Sequence, residues 1–115
     1  MRQYGEVPPW LAANNTPLVS STSGLGANGG AAVQTPDSGG FGDVLVNVGA
    51  GFSSSWSIVL AFPSTPPTLF VSGDEDFGPI TQSTVGNNVT LSGTLATFKL
   101  LGQPYKLHYE WSVSK

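Results

Sequence analysis

Tyr105-Lys106-Leu107-His108-Tyr109-Glu110-Trp111-Ser112-Val113 is the stretch whose reading decides the fold. Tyr105, Leu107, Tyr109, Trp111 and Val113 share one face, and Lys106, His108, Glu110 and Ser112 share the other, which is the two-residue period of a half-buried strand. Such a strand belongs to an antiparallel sheet with one wet face. The same pattern removes the only histidine from the catalytic candidates, because His108 falls among the solvent-facing positions between Lys106 and Glu110.

Upstream, strand follows strand from Gly42 onward. Val44, Val46 and Val48 alternate with Asp43, Leu45 and Asn47, and Gly49-Ala50-Gly51 then supplies a turn or a close backbone approach. Trp56 to Phe62 places Trp56, Ile58, Leu60 and Phe62 on one face and Ser57, Val59 and Ala61 on the other, and is expected to be central and covered on both sides. Pro63-Ser64-Thr65-Pro66-Pro67 stops it, since proline cannot donate to a ladder. Thr68 to Ser72 reads as a short strand before an acidic loop, Gly73 to Pro79. Ile80 to Val85 and Asn88 to Ser92 flank Gly86-Asn87, a pair suited to a tight hairpin turn. Thr94 to Leu101 is expected to pair with Tyr105 to Val113 through Gly102-Gln103-Pro104. Strands recurring every 8 to 12 residues, with no helical period, predict an all-β fold. The expected form is an antiparallel β-sandwich with a jelly-roll-like body over residues 41–115 and an extended N-terminal arm over residues 1–40.

The arm differs in composition. It holds Gly24, Gly26, Gly29, Gly30, Gly39 and Gly40 with Pro8, Pro9, Pro17 and Pro36. A segment of this kind buries too little apolar surface to offset its ordering entropy, so alone it is expected to be flexible apart from short strands near Leu18-Val19 and Ala31-Val33. It needs its own body or neighbouring subunits to hold it. Trp10 follows Pro8-Pro9 and precedes Leu11, and its large apolar area must be covered by this chain's sheet or by a neighbour. Pro8, Pro9, Trp10 and Leu11 are therefore the expected partner-binding residues.

Composition narrows the function classes. At 115 residues the chain is one domain. Charged residues make up 10%, seven acids stand against four bases, and the formal charge is −3. Arg2, Lys99, Lys106 and Lys115 are scattered, which argues against a partner of nucleic acid or an anionic membrane surface. No apolar run approaches the roughly 20 residues of a spanning helix. With no cysteine there is no disulfide and no thiolate metal site. Met1 to Trp10 lacks the apolar segment of a secretory signal, so synthesis in a cytoplasm is expected. The acceptor patterns at Asn14 and Asn88 then have no glycosylation route.

No catalytic constellation emerges, and no cofactor or metal is expected. Asp74-Glu75-Asp76 is the one charge cluster, but it lacks the spacing of a calcium loop and reads as a solvated turn. Neighbouring carboxylates on one short loop do not give the separated pair of a glycosidase. Ser, His and Asp are all present, yet there is no Gly-x-Ser-x-Gly turn and His108 is the sole possible base. Gly24 to Gly30 lacks the lysine and following helix of a phosphate loop, and reads as flexible backbone. Trp56, Trp111, Phe62, Phe70, Phe98 and Tyr109 alternate with polar residues and read as core, although such aromatics also serve as sugar platforms.

A short, cysteine-free, weakly charged β domain with a long arm reads as part of an assembly, where arms and sheet edges add main-chain hydrogen bonds to a neighbour's strands. In size, in its Gly/Ala/Ser/Thr-rich arm and in its β-rich body, the chain resembles the small β-sandwich head decoration, or cement, proteins of tailed bacteriophages. That resemblance implies a structural virion protein, made in the host cytoplasm and bound to the capsid surface. Its partners would be the major capsid protein and neighbouring copies of itself, with a homotrimer as the implied assembly. A carbohydrate-binding or adhesion module and a tail or fibre component are the alternatives.

Overall fold

Alternation in the sequence becomes two packed layers. The computed structural model describes residues 17–34, 41–64, 66 and 68–110. Eight strands run in chain order: β1 (Leu18–Ser23), β2 (Gly30–Val33), β3 (Phe41–Asn47), β4 (Trp56–Ala61), β5 (Phe70–Gly73), β6 (Thr81–Val85), β7 (Asn88–Gly93) and β8 (Pro104–Glu110). They form two four-stranded antiparallel sheets, ordered β1-β4-β7-β6 and β2-β3-β8-β5. The chain is thus the all-β sandwich its patterning predicts. Among the described residues no helix is long and apolar enough to cross a membrane.

The core lies between the layers. From one sheet come Trp56, Ile58, Leu60, Val89 and Leu91, and from the other Val44, Val46, Tyr105, Leu107 and Tyr109, all buried. Register brings matching side chains together, with Ile58 opposite Leu91, Leu60 opposite Val89, and Val44 opposite Leu107. Two of the largest side chains need an absent one beside them. A Cβ on Gly42 would stand 2.5 Å from the Tyr109 hydroxyl, and one on Gly93 would stand 2.6 Å from Trp56 Nε1.

Several expectations are corrected. β4 is central, between β1 and β7, but only its Trp56-Ile58-Leu60 face is buried; Ser57, Val59 and Ala61 face outward and are half-exposed. Thr94 to Leu101 is not a strand and does not pair with β8, whose neighbours are β3 and β5. Its backbone donors go to scattered partners instead: Ala96 N–H to Ser54 C=O, Thr97 N–H to Asp76 C=O, and Lys99 and Leu100 N–H to the Tyr105 hydroxyl. Phe70 points outward and is exposed, while Leu69 beside it is buried.

Strand pairing also begins well before residue 40. Leu18–Ser23 pairs with β4 and Gly30–Val33 pairs with β3, so the second part of the expected arm contributes an edge to each sheet. The glycine-rich turn between them is not a flexible linker. Ala27 N–H donates to Ala50 C=O, Gly49 N–H to Leu25 C=O and Ser53 N–H to Gly24 C=O, and Leu25 is buried. Backbones approach closely there, because a Cβ on Gly49 would meet the Ala27 carbonyl oxygen at 1.8 Å.

The loop from Gly73 to Pro79 holds the core's closing residue. Its single 3₁₀ turn, Glu75–Phe77, drives Phe77 into complete burial. Phe77 lies 5.1 Å from Trp56, 5.3 Å from Phe98 and 5.6 Å from Tyr105, centroid to centroid, and its carbonyl accepts the Trp56 indole N–H at 3.0 Å. Truncation of this ring removes its contacts with Trp56, Phe98 and Tyr105 and leaves a cavity in the core. Phe77→Ala is expected to cost about 3–5 kcal/mol, checked by urea unfolding; a loss under about 1 kcal/mol would show that the ring does not close the core.

Candidate functional site

Two regions concentrate polar chemistry, and register builds the first. On the outward face of β2-β3-β8-β5, Asp43 of β3 and Ser72 of β5 both stand opposite His108 of β8, while Phe41 and Phe70 both stand opposite Glu110. Residues directly across a sheet share a face, so Asp43, His108 and Ser72 form one row and Phe41, Glu110 and Phe70 the next. His108 Nδ1 lies 2.8 Å from Asp43 Oδ1, its Nε2 lies 3.1 Å from Glu110 Oε1, and its ring tilts against Phe41 at 6.3 Å.

The order Asp, His, Ser invites comparison with a nucleophilic triad. A triad needs the imidazole Nε2 free to take the serine proton, and donors for the developing oxyanion. Here Nε2 is turned to Glu110, and Ser72 makes no hydrogen bond to the ring. Among the described residues no pocket is present, and no group of three or more His, Asp or Glu side chains gathers as a metal site. What the row can do is carry charge. The hydrogen bond to Asp43, and then that to Glu110, raises the His108 pKa above its ordinary value, against the opposing effect of partial burial. The ring's contact with Asp43 ties β3 to β8 from the outside.

The second region is the end of the sandwich where the loops 24–29, 48–55, 74–80 and 94–103 meet. Asp76, expected to be solvated with Asp74 and Glu75, is half-buried, whereas those two are exposed. Its Oδ2 accepts the Tyr105 hydroxyl at 2.8 Å and the Lys99 N–H at 3.3 Å. The Tyr105 oxygen accepts Lys99 N–H at 3.0 Å and Leu100 N–H at 2.8 Å, so one side chain satisfies a stretch of irregular backbone. Burial raises the Tyr105 pKa and the Asp76 contact adds to the rise, with the two backbone donors opposing it. Lys99 Nζ reaches Asp76 Oδ1 at 3.9 Å from a largely exposed position, which contributes little. This network stiffens the loop end.

Trp10, Pro8, Pro9 and Leu11, the expected partner-binding residues, lie outside the described residues, as does Trp111. The Asp43 to His108 contact joins residues 65 apart in sequence, and only strand register reveals it. No protein-family model, curated protein or solved structure is significantly similar to the chain.

Two outcomes follow from these contacts. Tyr105→Phe leaves the Leu100 N–H without its acceptor and is expected to cost about 1–3 kcal/mol, measured by urea unfolding; an unchanged midpoint would mean that the network is slack. For His108, a folded pKa above the unfolded value near 6.5 stabilises fully below that value and is lost as pH rises through the folded pKa. The wild-type midpoint should therefore fall from about pH 6 to pH 9, and His108→Gln should flatten that fall. A wild-type midpoint constant over this range would contradict the assignment.

Proposed function

We propose that the chain is a structural virion protein that decorates the outer surface of an assembled phage capsid, held by its arm and by strand pairing at its sheet edges. The state of the edges carries the reading. Both sheets are open, and their edge strands read LVSSTS, GAAV, FVSG and TQSTV. None contains a charged residue or a proline. Natural sheets usually guard their edges with lysine, proline or inward charges, because unpaired N–H and C=O groups recruit other strands. Edges left uncharged suit a protein whose work is to add to neighbouring strands. The described residues form no pocket, an arrangement that suits recognition of another surface over capture of a small molecule. Trp10 with Pro8, Pro9 and Leu11 completes the proposal as the anchor of the arm, and the partners are the major capsid protein and neighbouring copies.

The outward Phe70 beside Glu110 favours a second reading, a carbohydrate-binding module, since exposed aromatic faces stack on sugars. Glycan-array binding that is lost in Phe70→Ala would replace the first reading with this one. For the first, capsids carrying the chain should keep their integrity to higher temperature and longer under chemical stress than capsids lacking it. Equal resistance of the two preparations would overturn it.

A further inference from the structure

Among the described residues, one edge is the least protected. β1 carries a bulge between Val19 and Ser21, and β2 and β5 are only four residues long; bulges and shortness both blunt an edge. β6 is regular, with unbroken register against β7 from Thr81↔Ser92 to Val85↔Asn88. The two-residue turn Gly86-Asn87 fixes which of its backbone groups are used. A turn of that length closes on a hydrogen-bonded pair, so Val85, Ser83 and Thr81 bond to β7 while the N–H and C=O of Gln82 and Thr84 point off the sheet. No other described backbone group meets them. The strand is also held in place, because Gln82 Oε1 accepts the Leu69 N–H at 3.0 Å and its Nε2 donates to the Leu69 carbonyl.

The distribution of charge admits a second copy as the occupant. With a net charge of −3, two copies repel as whole bodies. Yet the sheet β1-β4-β7-β6 contains no Asp, Glu, Lys or Arg in any strand. All such described residues lie on β3, on β8, in the loop 74–80 or at Lys99. Among the described residues, two copies can therefore approach through this sheet's edge with no charge in contact.

We propose that β6 pairs antiparallel with the β6 of a second copy about a twofold axis at Ser83, joining two four-stranded sheets into one of eight. A twofold contact is self-complementary. The register centred on Ser83 pairs all five residues of the strand: Ser83 opposite Ser83, Gln82 opposite Thr84, and Thr81 opposite Val85. It sets the free groups of Gln82 and Thr84 against one another. Five-residue pairing buries far less than the roughly 1,600 Å² of a standard interface, so the dimer is weak in dilute solution. It is populated when the chain is concentrated or when two copies are held on one surface. The inference does not rest on the capsid reading, because purified chain alone tests it.

The test is sedimentation of the full chain from about 10 μM to about 1 mM, a range set by the weak affinity expected of so small a contact. The mass should rise from 11.9 kDa toward twice that value. Ser83→Lys sets like charges opposite each other across the axis, and should hold the chain at the monomer mass with an unchanged circular dichroism spectrum, because Ser83 is exposed. The chain has no cysteine, so single thiols report the register. Ser83→Cys should oxidise to a dimer about tenfold faster than Val85→Cys, since facing residues at the axis lie within disulfide reach, although Val85 is 76% exposed. A wild-type chain that remains monomeric throughout, a dimer that survives Ser83→Lys, or equal oxidation of the two thiols would overturn the proposal.

Discussion

The structure depends on the burial of Phe77. Two open sheets leave a gap wherever the chain crosses from one to the other, and four loops cross at the end where this ring enters. Phe77 fills the gap against Trp56, Phe98 and Tyr105, and its own carbonyl satisfies the indole N–H that Trp56 brings into the core. Burying a tryptophan donor without an acceptor carries a penalty of about 1–3 kcal/mol, so this one contact lets the largest side chain of β4 be used at all. From there order spreads outward: Asp76, next to Phe77, takes the Tyr105 hydroxyl, and that hydroxyl holds Lys99 and Leu100. The ten-residue crossing from β7 to β8 is thereby fixed without a ladder of its own.

With the core closed from within, none of the four edge strands carries a charge. Charge is instead collected on the central strands β3 and β8 of one sheet, where Asp43, His108 and Glu110 brace the outer face. The other sheet is hydroxyl-rich and neutral: Ser23 meets Ser57, and Thr81 meets Ser92, across neighbouring strands. This division gives the molecule one charged side and one side on which backbone pairing meets no electrostatic opposition.

Much of this was legible in the residues. Val44-Val46-Val48, Trp56-Ile58-Leu60 and Tyr105-Leu107-Tyr109 each announce a buried face by strict alternation, and those faces form the core. Ala96 and Phe98 alternate in the same manner and are buried, but the stretch that holds them forms no strand: Ala96 N–H goes to Ser54 C=O in a distant loop and Lys99 N–H to the Tyr105 hydroxyl. Leu69-Phe70-Val71 is a continuous apolar run, in which nothing local says that Phe70 turns outward. The pairing of Asp43 with His108 depends on register between β3 and β8, and the interlocking glycines at 24–29 and 49 depend on two loops meeting. Phe77 stands at the end of the acidic run Asp74-Glu75-Asp76, where no local alternation marks a core position. The anchor expected around Trp10 lies outside the described residues.

The proposed pairing through the β6 edge engages the outward backbone groups of Gln82 and Thr84. Backbone amide exchange, followed residue by residue on the purified chain at low and high concentration, tests it most directly. Protection of the Gln82 and Thr84 amides that grows with concentration, while the β1 edge stays unchanged, is the expected result. Exchange at Gln82 and Thr84 that is independent of concentration would contradict it.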